Sequence, residues 1–143
     1  MASFSVSLVW MGLTTGFAAA CVALYGRYRT LPALLTGPTV CRLDGANGCQ
    51  ILFRTRNAAL LGAPNALLGI ACYFAIAIGI VRRWSTILLF AGAGAALAMS
   101  VYLAYILVRD HLECRVCWTG HAANVLLWIG LAIALVRGGG GSP

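Results

Sequence analysis

Residues 108–117 read VRDHLECRVC, and they hold two of the chain's three acidic residues, Asp110 and Glu113. On either side lies a run without a charged side chain, residues 84–108 and 116–136. A helix rises 1.5 Å per residue, so about 20 apolar residues cross a hydrocarbon core of roughly 30 Å, and both runs are long enough. A link as short as Arg109 to Arg115 forces the two helices to be antiparallel neighbours. Working outward, two further charge-free runs cover residues 1–26 and 57–81, and only Arg82-Arg83 separates the second run from the third. The expected fold is an all-α membrane protein, a bundle of four transmembrane helices. The spans fall near residues 5–25, 64–81, 85–108 and 116–136, with a long cysteine-bearing loop, 26–63, between helices 1 and 2. Residues 1–136 make a single domain, and 137–143 (RGGGGSP) have the composition of a flexible linker-like tail.

The bulk composition agrees. Hydrophobic residues make up 62% of the 143 and charged residues 9%, with a mean hydropathy of +0.92, too little charge to solvate a globular surface. The net charge of +7 comes entirely from arginine. No basic patch with interleaved aromatics lies outside the apolar runs, which argues against nucleic acid as a partner. The arginines read instead as interfacial anchors facing membrane lipids. No basic residue precedes Arg27, so the first run reads as a span and not as a cleaved signal. Small residues at Gly12-x-x-x-Gly16 and in the run Ala91 to Ala96 are spaced for close helix approach.

Six cysteines are present, and four are placed suggestively. The loop between spans one and two and the link between spans three and four are two crossings apart. Cys41, Cys49, Cys114 and Cys117 therefore share one membrane face. Cys114 and Cys117, at i and i+3, open span four, where the helix N-terminus favours thiolate; Arg115 adds to that effect and Glu113 opposes it. Between Cys41 and Cys49 lie the turn-forming pairs Asp44-Gly45 and Asn47-Gly48, which fold the segment back on itself. A disulfide there closes a small exposed ring of the exchangeable kind. Two other readings stay open: a zinc site, against which the seven-residue gap weighs, and two inert staples, against which the short CxxC loop weighs. Cys21 and Cys72 read as small packing residues.

Continuing the helix from Cys117, positions 114, 117, 121 and 124 form one stripe, so His121 and Asn124 carry the cysteine face into the bundle. An ionisable group inside a span is a functional candidate, the alternative being a hydrogen bond to a neighbouring helix. Two thiols that become a disulfide release two electrons and two protons. A thiol pair opening onto an apolar pocket with a few polar groups therefore suits a lipid-soluble quinone.

With these residues in hand, the chain resembles the vitamin K epoxide reductase family, in a prokaryotic form without a fused thioredoxin domain. The order is diagnostic, since a loop cysteine pair precedes span two and CxxC opens span four; the reverse order marks a different quinone-coupled oxidase type. CQILFRTR, Cys49 to Arg56, resembles the family's Cys-x-x-x-Phe-x-Ser/Thr-Arg; PNALLG, Pro64 to Gly69, resembles its start of span two; and SVYLAYIL, Ser100 to Leu107, resembles its third span.

The resemblance implies that Cys117 faces the quinone and Cys114 is its exchange partner. Cys49 is then the shuttle that attacks Cys114, and Cys41 meets the redox partner. It places Asn65, His121, Phe53 and Thr55 on the quinone side, although Asn65 is also explained as a cap beside Pro64. The quinone would be of menaquinone, ubiquinone or vitamin K type, and the redox partner a separate thioredoxin-like protein. No metal is implied. The chain departs from the family at His121, where vertebrate relatives carry Tyr, and at Asn57, where many relatives carry Trp.

The activity expected is that of a membrane thiol-disulfide oxidoreductase, passing electrons from protein thiols through two cysteine pairs to quinone in support of disulfide formation. The alternatives are a vitamin K epoxide or quinone reductase of the vitamin K cycle, and a non-catalytic membrane interaction subunit. The chain is multi-pass in the cell membrane, and two arguments about its orientation disagree. Disulfide chemistry puts the thiol face outside. Seven arginines on that face against three on the other put it in the cytoplasm, as in an inward-facing oxidase of a hyperthermophilic archaeon.

Overall fold

The computed structural model describes residues 2–29, 63–111 and 114–139. They form four helices, α1 (Ala2–Tyr28), α2 (Asn65–Val81), α3 (Thr86–Arg109) and α4 (Arg115–Gly139), with no strand among the described residues. Three of them, α1, α3 and α4, are long and apolar enough to cross a membrane, and α2 is a shorter apolar helix of 17 residues. Most of the loop expected over 26–63 lies outside the described residues, and with it Cys41, Cys49, Phe53 and Thr55. Helix α4 continues through Arg137 into the segment expected to be tail, an end that suits a cation beside the last carbonyls.

The helix ends follow from local chemistry. Pro64, with φ −55°, stands just before α2, and its carbonyl accepts from the N–H groups of Leu67 and Leu68 at 2.9 and 3.2 Å. The missing proline N–H costs nothing at a helix start. At the other end of α2 the N–H of Trp84 donates to Gly79 O at 2.8 Å and that of Arg83 to Ile80 O at 3.1 Å. This is a Schellman closure, but its left-handed position is held by Arg83, φ 56°, and not by glycine. A Cβ on Gly79 would meet Trp84 Cε3 at 2.8 Å, so only glycine lets the Trp84 ring fold back there. Ser85 then caps α3, its Oγ accepting from Leu88 N–H at 3.3 Å. Helix α3 ends at a second left-handed residue, His111, φ 50°. There the exposed Arg109 guanidinium donates to Asp110 at 2.7 Å and holds its carboxyl below the usual carboxylate range.

Each helix packs on two neighbours, in the order α1, α2, α3, α4 and back to α1, and the α1–α4 contact is the most extensive. At Gly12 a Cβ would lie 2.7 Å from Leu127 N and 2.9 Å from Ala123 O, so the two backbones touch. The close approach expected for the small-residue run of α3 is not found at Gly92, where a Cβ would meet nothing within 4 Å; its neighbour Ala93 is the buried residue.

Two apolar clusters result. The larger gathers Val9, Leu13, Tyr73, Ile76, Leu89 and Leu127 among others; the smaller gathers Ala19, Leu107, Cys114 and Val116. The outer surface carries Phe74, Val81 and Ile87, each more than 60% exposed. An apolar exterior of this kind is a liability in water and the ordinary state against lipid.

Candidate active site

A cavity of about 360 Å³ lies among all four helices. Its room comes from small side chains on α1, where Ala19, Ala20 and Ala23 line it at a spacing that keeps them on one helix face; at Gly16, also on its wall, the Tyr73 ring takes the place a Cβ would need. Larger residues there would fill the space. The remaining walls are mainly apolar, with Leu68, Leu103 and Leu107 among them.

The expected CxxC pair stands at this cavity. Cys114 and Cys117 are joined by a disulfide with Cα atoms 5.3 Å apart. Cys114 is the residue before α4, and the backbone N–H of Cys117 points at its sulfur, N···S 3.3 Å. The sulfur thus takes the place of an N-cap oxygen, meeting one of the donors that a helix start leaves without a partner. Cys117 lines the cavity, whereas Cys114 is 1% exposed and packs with Ala19, Leu107 and Val116. The two sulfurs therefore have different surroundings.

His121 and Asn124 also line the cavity, as does Asn65 at the first turn of α2. With Pro64 in the capping position, Asn65 is the first residue of the helix proper. His121 Nδ1 is 2.6 Å from Ser100 Oγ. Asn124 Nδ2 donates to the same Ser100 Oγ at 3.0 Å, and Tyr73 O–H donates to Asn124 Oδ1 at 2.6 Å. The four side chains tie α2, α3 and α4 together, and in an apolar setting such bonds are also what makes the buried polar groups tolerable. His121 Nε2 is buried without a hydrogen-bond partner among the described residues. Trp118 meets the imidazole edge-on, ring centroids 5.9 Å apart.

Tyr73, Ser100 and Cys72 all line the cavity, and the sequence reading assigned none of them a role; it treated Cys72 as a packing residue. A hydroxyl within an apolar span was the signal available for Tyr73 and Ser100. Among the described residues no group of three or more His, Cys, Asp or Glu side chains is placed to hold a metal.

Apolar helices that pack around a disulfide, with one of its cysteines lining a cavity between them, define a helical membrane protein with the means for redox chemistry. The sequence profile of the vitamin K epoxide reductase family matches residues 7–132, and the chain belongs to that family, whose members are oxidoreductases. No curated protein and no solved structure gives a significant match.

Proposed function

We propose that the protein is a quinone-dependent thiol-disulfide oxidoreductase with four membrane spans, α2 being the shortest. The observation that carries this reading is the Cys114–Cys117 disulfide, with Cys117 on the wall of an apolar cavity also lined by His121, whose Nε2 has no partner among the described residues. The fit to a quinone rests on those features. The walls suit a flat apolar ring, and His121 and Asn65 are polar side chains suited to its two oxygens. When bound, a quinone accepts two electrons and two protons.

The chain's own part is disulfide exchange. A partner dithiol reduces the Cys41–Cys49 disulfide and leaves as a disulfide. Cys49 thiolate then attacks the Cys114 sulfur, the Cys114–Cys117 bond breaks, and Cys117 leaves as thiolate. Cys41 attacks Cys49 in the mixed disulfide, which restores Cys41–Cys49 and frees Cys114. The Cys114–Cys117 dithiol now holds the two electrons at the cavity, and closing its disulfide again gives them up. Cys114 is covered in the oxidised state, so the exchange step requires the groups packed over its sulfur to move aside. Phe53 and Thr55 complete the quinone side in this reading, and a thioredoxin-like protein is the partner.

Turnover of the purified chain with dithiothreitol and either menadione or its 2,3-epoxide tests the reading. Quinone reduction is expected. Turnover of the epoxide alone would favour the vitamin K cycle, and no quinone-linked change in thiol content would favour a non-catalytic subunit.

A further inference from the structure

The hydrogen-bond chain Tyr73–Asn124–Ser100–His121 has two possible directions, and they differ in how many buried groups go unmet. In the first, Tyr73 O–H donates to Asn124 Oδ1, Asn124 Nδ2 donates to Ser100 Oγ, and the serine's single proton goes to His121 Nδ1. Imidazole is then protonated at Nε2, the buried atom that has no partner among the described residues. In the reverse direction the amide is turned over, His121 Nδ1–H donates to Ser100, Ser100 to the amide oxygen, and the amide N–H to the tyrosine oxygen. That leaves two groups unmet, the Tyr73 O–H and the Nε2 lone pair. Each unmet buried group is costly, so the first direction wins.

We propose that Tyr73, Asn124 and Ser100 lock His121 as the Nε2–H tautomer, making it a hydrogen-bond donor reserved for a ligand that presents a bare carbonyl oxygen. A free histidine interconverts between donor and acceptor at each nitrogen; this one does not. The requirement matches a quinone, whose oxygens only accept. An amide in the middle of the chain makes it a lock and not a proton wire, because an amide that donates through nitrogen and accepts through oxygen passes protons poorly. Ser100 is thus a positioning residue that acts through His121. The ligand assignment rests on the proposed function above, whereas the tautomer stands on hydrogen-bond geometry alone.

The test is ring ¹⁵N–¹H correlation spectroscopy on the full chain in lipid nanodiscs, labelled at histidine. A His111→Asn background leaves one ring to observe and keeps a residue that tolerates the left-handed backbone there. The proposal expects only the Nε2–H pattern. It expects a mixture of tautomers in Ser100→Ala and restoration in Ser100→Thr, which keeps the hydroxyl. An Nδ1–H pattern in the parent protein overturns the lock without any variant having to fold. Kinetically, Ser100→Ala should raise KM for menadione about 3- to 10-fold, the value of one hydrogen bond, with Ser100→Thr near the parent. Failure of the parent to reduce menadione would refute the proposed activity and leave the tautomer result as it stands; normal turnover with an unchanged KM in Ser100→Ala would refute the lock's role in binding.

Discussion

The Cys117 backbone N–H sits 3.3 Å from the sulfur of Cys114, to which the Cys117 side chain is itself bonded. One helix start thus holds both the bond that breaks in the proposed exchange and a donor aimed at one of its sulfurs. The second sulfur borders the cavity. In the proposed mechanism that division makes the site directional, with exchange at Cys114 on one side and delivery at Cys117 on the other.

If the cavity is where electrons leave, filling it should block turnover without harming the disulfide. Ala20→Phe places a ring where the α1 wall is recessed. KM for menadione should rise about tenfold or more, equivalent to about 1.4 kcal/mol of lost binding, while mass spectrometry still finds Cys114 and Cys117 bonded. Unchanged kinetics would put the acceptor somewhere else.

The α1–α4 seam makes a paired stability prediction. Gly12→Ala drives a methyl group into the α4 backbone at Leu127 and Ala123, atoms that cannot swing aside, and should cost about 1–3 kcal/mol. Gly92→Ala points into open space and should be neutral or slightly stabilising, within about 1 kcal/mol, because alanine is the better helix former. Thermal unfolding in detergent compares the two, and equal losses would contradict the packing described.

Arg83 supplies a prediction of opposite sign. A left-handed conformation costs an L-residue roughly 1–2 kcal/mol, and Arg83 occupies one at φ 56°. Arg83→Gly should therefore stabilise the chain, offset in part by the greater freedom of glycine when unfolded, for a net gain of up to about 1 kcal/mol. A lower melting temperature would mean that the arginine makes an interaction worth more than its strain.

Much of this architecture was legible because hydrocarbon imposes a simple rule. Charge-free runs marked the helices, and Pro64 put the start of α2 well inside its run. The i, i+3, i+7, i+10 stripe put Cys117, His121 and Asn124 on one face, and all three line the cavity. The cavity itself was hidden, because it is made of absent volume. Ala19, Ala20 and Ala23 have the same composition as a close-packed seam, and only the neighbours distinguish a gap from a contact. Tyr73 and Ser100 were missed because a lone hydroxyl in an apolar run carries no period, and its partner lies on another helix. The turn at Arg83 and the one at His111 carried no glycine to announce them. Cys41 and Cys49 remain placed by sequence topology and resemblance, and Phe53 and Thr55 by resemblance alone.

Topology makes a further prediction. Cys41 and a cysteine introduced at Asp110 should be labelled by a membrane-impermeant maleimide from the same side, and one introduced at Arg83 from the other. Labelling of the Asp110 and Arg83 positions from one side would mean that α3 does not cross. The side on which Cys41 reacts in intact cells also decides between the outward orientation that disulfide chemistry favours and the inward one that the arginine distribution favours.

The central claim is that two electrons leave the Cys114–Cys117 pair for a quinone held beside it, and an anaerobic single turnover measures that transfer. Fully reduced protein carrying Cys41→Ala and Cys49→Ala, in which the new disulfide cannot pass onward, is mixed with one equivalent of menadione, quenched with acid, alkylated and mapped by peptide mass spectrometry while quinol is read optically. The account predicts one Cys114–Cys117 disulfide for each quinol formed, and a loss of at least about 100-fold in rate for Cys117→Ala, on the scale seen when a reacting group is removed. Quinol formed at the normal rate by Cys117→Ala, or formed while both thiols stay reduced, would contradict it.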